Sequence, residues 1–97
     1  MFDKMKQLME MKKQADAIKR ELDNTILESG DARGVSVKIN GSMEIQSIEV
    51  DQGYLSPDNK RRLEADLLRS VNTAVKKSQD LAAQKMKSML PPGFPGL

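Results

Sequence analysis

Apolar residues recur along the first quarter of the chain at steps of three and four: Met5, Leu8, Met11, Ala15, Ile18 and Leu22. That spacing keeps them on one side of an α-helix and predicts a helix from Phe2 to about Asn24. From Leu8 onward the alternation of three and four is that of a coiled-coil seam. Lys4, Lys6, Lys12, Lys13, Lys19 and Arg20 decorate the other faces, with Asp3, Glu10, Asp16, Glu21 and Asp23 among them. The period then shortens to two. Thr25-Ile26-Leu27-Glu28 reads as a short strand, followed by the turn residues Ser29-Gly30-Asp31. Val35, Val37 and Ile39 alternate with Ser36 and Lys38 on a second strand, and Asn40-Gly41 follows as the preferred pair for a type I′ hairpin turn. The third strand breaks the alternation: Met43 and Ile45 share one parity, Ile48 and Val50 the other. Either a bulge near Gln46-Ser47 restores one apolar face, or helices cover one face and a partner the other.

Asp51-Gln52-Gly53-Tyr54-Leu55 is the exit loop, and Ser56-Pro57-Asp58 carries the start signal of a second helix, with Ser56 as N-cap and Pro57 at the first helical position. Leu63, Leu67, Leu68, Val71, Ala74, Val75, Ser78, Leu81, Ala82, Met86 and Met89 form its stripe, with Asn72 beside it, and Pro91-Pro92-Gly93 stops it. The fold class is therefore α+β, in the order helix, three-stranded antiparallel sheet, helix (α-β-β-β-α). A helix from Pro57 to Leu90 is about 50 Å long, whereas a six-residue strand spans about 20 Å. Helices of that length overhang the sheet, so their apolar stripes need another chain to cover them, and a homodimer is expected.

With 97 residues, the chain is read as one domain over 1–97, ending in a Pro/Gly-rich tail at 90–97. The absence of His and Cys excludes Ser-His and Cys-His nucleophile pairs and any zinc site built on imidazole or thiolate. The remaining acids are scattered singly among basic residues, and no Gly-rich phosphate loop precedes a helix. No catalytic residue, cofactor, metal or small-molecule substrate is expected. No apolar run approaches the roughly 18 residues of a membrane span, and no signal peptide is visible, so a cytoplasmic protein without a membrane partner is expected.

Charge is uneven. Residues 1–24 carry a net +1, residues 25–55 a net −3 and residues 56–97 a net +4. Basic helix ends around an acidic middle point to a polyanion gripped at the tips. The ordinary alternative is a solvated surface laced with i,i+4 pairs.

The run Val35-x-Val37-x-Ile39-Asn40-Gly41, then Ile48-x-Val50-Asp51, Val71-Asn72-x-Ala74 and Leu90-Pro91-Pro92-Gly93-Phe94, resembles the YbaB/EbfC family of bacterial nucleoid-associated proteins. The resemblance covers nearly the whole chain. It departs at Asp3-Lys4-Met5-Lys6 and at Asp31-Ala32-Arg33, where relatives carry glycines. It implies a cytoplasmic, nucleoid-located dimer whose sheets join, whose helices project like tweezers, and which binds double-stranded DNA. The candidate DNA contacts are Lys4, Lys6, Lys12, Lys13, Lys76, Lys77, Lys85 and Lys87, acting on phosphates with low sequence specificity. The alternative from another class is a protein-interaction adaptor that uses the Met-rich first helix as a groove binder.

Overall fold

The computed structural model describes residues 2–30 and 33–89. Helix α1 spans Phe2–Asn24, strands β1, β2 and β3 span Ile26–Glu28, Val35–Asn40 and Ile45–Val50, and helix α2 spans Lys60–Lys87. The three strands form one antiparallel sheet in the order β1-β2-β3. The α-β-β-β-α order read from the sequence is what the chain adopts.

The bulge is present. Lys38 pairs with Ser47 but Ile39 pairs with Ile45, leaving Gln46 without an opposite residue. That one extra residue reverses the parity of β3. Ile45, Ile48 and Val50 thereby oppose Ile39, Val37 and Val35, and Leu27 opposes Ile39 from β1. Directly opposed residues project to the same side, so all seven apolar side chains share one face. Helix α2 lies on that face. Val37, Ile39 and Ala74 are fully buried, with Leu27, Val71 and Val75 packed around them. Along α2 the buried positions are Ser70, Ala74 and Ser78, spaced by four, so the most deeply buried line of the helix carries only small side chains. Asn72 is exposed in the single chain.

Two turns differ from expectation. The hairpin is not a two-residue type I′ turn, for neither Asn40 nor Gly41 has positive φ. The loop instead has three residues, Gly41 to Met43. Asn40 N–H donates to Glu44 O at 3.0 Å, Met43 N–H reaches Asn40 O at 3.3 Å, and Met43 itself takes the left-handed conformation at φ 64°. Asn40 serves the turn through its side chain: Oδ1 accepts from Ser42 N–H (3.0 Å) and Glu44 N–H (2.9 Å). Gly41 is needed for close approach. Its N–H donates to Leu22 O at 2.8 Å, and a Cβ there would lie 3.0 Å from both Leu22 Cα and Leu22 O.

The second difference is at the start of α2. Ser56 precedes Pro57 as expected, but Pro57–Asn59 is a 3₁₀ turn and the Ser56 side chain makes no capping bond. The α-helix begins at Lys60 and ends at Lys87, short of Leu90. The Pro91-Pro92 stop and the 90–97 tail lie outside the described residues.

Candidate nucleic-acid interface

Helix α1 leaves the sheet at the hairpin end, and its direction is set there. Its last turn has carbonyls without intrahelical partners. The hairpin supplies donors: Gly41 N–H to Leu22 O, and Asn40 Nδ2 to Asp23 O at 3.3 Å. Ser42 Oγ also bonds the Asp23 carboxylate. Leu22 is the one buried residue of the helix, and Ile18 is half-buried. Further out, Lys85 of α2 pairs with Glu21 at 2.5 Å, joining the two helices. From Glu21 back to Phe2 the helix runs about 28 Å at 1.5 Å per residue. Every residue from Phe2 to Ala17 is exposed, Phe2 at 88%. The molecule is accordingly a rod, 68 × 24 × 14 Å.

The eight candidate lysines divide into three groups. Lys4, Lys6, Lys12 and Lys13 stand on the bare part of α1, exposed. Lys76 and Lys87 are exposed on α2, the latter beside a shallow groove walled by Leu27 and Leu81. Lys77 and Lys85 already have partners. Lys77 Nζ donates to the carbonyls of Glu28 (2.7 Å) and Ser29 (3.1 Å), tying α2 to the end of β1, and Lys85 holds Glu21. Periodicity shows where on a helix a lysine points, but not which carbonyl waits opposite it.

The structure adds Arg20 to the list. Lys6, Lys13 and Arg20 are seven residues apart, two helical turns, and so form one line about 10 Å per step along α1. The 6–13–20 spacing was visible in the sequence. At the far end of the rod, Arg33, Lys60, Arg61 and Arg62 are also exposed. Tyr54 organises this end. Its hydroxyl lies 2.8 Å from Asp66 Oδ2 and 2.5 Å from Arg33 O, and its ring carries the Arg62 guanidinium at 5.8 Å. Hydrogen bonding to the Asp66 carboxylate is the main cause that raises the Tyr54 hydroxyl above its ordinary value of 10.0, with desolvation and the Asp66 charge adding to it and Arg62 opposing.

Among the described residues, no group of three or more His, Cys, Asp or Glu is placed to hold a metal ion. No described helix is long and apolar enough to cross a membrane.

The family model for the YbaB/EbfC DNA-binding family matches residues 1–94. The chain belongs to that family. A nucleoid-associated protein of Pelotomaculum thermopropionicum is 39% identical over 83 residues, covering 84% of this chain and 79% of its own. One from Chloroflexus aurantiacus is 35% identical over 86 residues, covering 88% and 86%. The crystal structure of an uncharacterized protein from Helicobacter pylori superposes with a TM-score of 0.82 at 24% identity, covering 94% of this chain and 98% of that one. That last likeness concerns the fold. The membership places the whole chain in a DNA-binding family.

Proposed function

We propose that this YbaB/EbfC protein is a nucleoid-located, cytoplasmic homodimer, one domain per chain. It holds duplex DNA with low sequence specificity through basic residues on its projecting helices. The observation that carries the reading is the bare arm: about 22 Å of exposed helix from Phe2 to Ala17, bearing Lys4, Lys6, Lys12 and Lys13, in a DNA-binding family. Such side chains neutralise phosphates and displace counterions without reading bases. Lysine ammonium groups are point charges rather than planar forks, and no cluster of Arg, Asn or Gln forms a base-reading surface on the arm. No catalytic group, cofactor or small-molecule substrate is assigned.

The dimer is supported by β3. It is an edge strand, and α2 sits over β2 and β1 rather than over it. Ile45 and Ile48 therefore remain 44% and 48% exposed on the same face as the buried core. An apolar edge strand invites pairing with a second copy, and joined sheets set the distance between two arms.

A salt series of gel shifts on duplex DNA tests the reading. The logarithm of affinity should fall linearly with log salt, about −0.9 per phosphate, and a total slope of about −4 to −8 is expected for two arms. Lys6→Glu with Lys13→Glu should weaken binding to every sequence alike and flatten the slope. A parent protein that ignores duplex DNA at low salt would overturn the proposal. The exposed Phe2, Met5, Leu8 and Met9 on the same arm would then favour the adaptor reading.

A further inference from the structure

The end of the rod opposite the arm holds a small cavity of about 240 Å³ that the arm-based reading leaves without a use. Two glycines line it. A Cβ at Gly53 would meet nothing within 4 Å, and Gly34 has a φ of +83° with the Tyr54 ring edge where a side chain would stand. Two arginines line this space, Arg33 and Arg62. Neither forms an ion pair among the described residues. Asp66, the carboxylate nearest to Tyr54, is already engaged by the Tyr54 hydroxyl and by Arg69 at 3.1 Å. Asp51 on the wall offsets one of the two charges, leaving the cavity positive. The Arg62 guanidinium lies 5.8 Å from the Tyr54 ring centroid, a weak cation–π contact that biases it toward this end of the rod.

Size and chemistry together select the ligand. The cavity is below the usual 300–1,000 Å³ range of organic-ligand pockets, so it suits a head group rather than a whole metabolite. Arg62 lies over the Tyr54 ring and Gly34 abuts its edge, so the ring is already in use on those sides. Two arginine forks favour a tetrahedral oxyanion that accepts paired hydrogen bonds. We propose that Arg33 and Arg62, with the cavity between them, form a phosphate-binding site. Its ligand is a phosphate ester, supplied either by the backbone of a second DNA segment or by a free phosphate ester. The DNA source rests on the function proposed above. It gives each chain two DNA contacts at opposite ends of a 68 Å rod.

The test follows the Arg33 and Arg62 Nε–Hε signals and the Gly34 and Gly53 amides by NMR in the full-length isotope-labelled protein. The probes are inorganic phosphate, chloride at matched ionic strength, and a short duplex. Phosphate should move these four signals saturably and chloride should not. Duplex should move them together with the Lys6 and Lys13 region. In Arg33→Gln/Arg62→Gln the pocket response should vanish, the arm response should persist, and the salt slope for duplex should flatten by about 0.9 per phosphate lost. If phosphate acts no more than chloride and duplex moves only the arm, the site is overturned and the arm reading stands. If phosphate saturates the pocket while duplex moves neither region, the site stands for free phosphate esters and the DNA reading fails.

Discussion

Replacing Gly41 separates two explanations of the Asn-Gly pair that closes the hairpin. If Gly41 served a type I′ turn, Asn would be a good substitute, since it tolerates positive φ. The structure requires something else: a Cβ at Gly41 would sit 2.8 Å from Leu22 Cδ2 and 3.0 Å from Leu22 Cα and O. The Cδ2 methyl can rotate away, but the backbone atoms must retreat by a few tenths of an ångström. They cannot do so without stretching the 2.8 Å bond from Gly41 N–H to Leu22 O. Overpacking of this kind costs about 1–3 kcal/mol, while removing a glycine from the unfolded chain returns about 0.4–1. Gly41→Ala should therefore destabilise by roughly 1–2 kcal/mol, and Gly41→Asn by at least as much. The reverse holds at Met43, a half-exposed side chain at φ 64°. The left-handed conformation costs a non-glycine residue about 1–2 kcal/mol, so Met43→Gly should be neutral or stabilising by up to about 1 kcal/mol. Urea unfolding of the three variants at one protein concentration measures this. Gly41→Asn at parental stability would refute the close-approach account, and Met43→Gly clearly below it would refute the strain assigned to Met43.

Three further outcomes are expected. Tyr54→Phe should be less stable than the parent at pH 7–9. The Tyr54 hydroxyl is raised in the folded state, so its contribution is present below the unfolded value near 10 and fades as pH rises through the folded one; a stability gap that does not close in alkaline titration counts against the Tyr54–Asp66 bond. Ile48→Lys, on the uncovered part of the core face, should leave the far-UV CD unchanged and shift sedimentation from two chains to the 10.8 kDa mass of one. A dimer that survives the change places the interface elsewhere. Lys77→Met should cost about 1–3 kcal/mol by leaving the Glu28 and Ser29 carbonyls without their charged donor. Lys76→Met, next to it and exposed, should cost under about 0.5 kcal/mol by thermal unfolding.

What the sequence made legible was whatever depends on period. The 3–4 spacing of α1, the alternation of β2 and the reversed parity of β3 each follow from the direction of Cβ along a helix or strand; they sufficed for the element order, and left a bulge near Gln46-Ser47 as one of two readings that the strand pairing then decided. Contacts between segments distant in the chain were not legible. Asn40-Gly41 marked a hairpin, but Gly41 is glycine because Leu22, nineteen positions earlier, presses against it. Ser56-Pro57 marked a helix start, yet a 3₁₀ turn precedes the α-helix while Asn59 Nδ2 bonds Gly53 O at 2.8 Å. Lys77 read as a surface cation until β1 put two carbonyls within its reach.

The same distinction limits what can be asked of the arm. A surface ion pair such as Lys85–Glu21 contributes at most about 1 kcal/mol, and salt screens it. A phosphate approaching Lys85 competes with Glu21 at that small cost, whereas one approaching Lys77 must displace two carbonyls that have no other charged donor. The α2 lysines are therefore not equivalent, although their spacing makes them look so. Charge reversal at Lys85 should affect DNA affinity and the α1–α2 junction together. Charge reversal at Lys6 or Lys13, both exposed on α1, isolates the electrostatics. A salt slope that changes for Lys77→Glu but not for Lys6→Glu, in folded protein, would mean that DNA lies on the sheet side of the junction rather than along the arm.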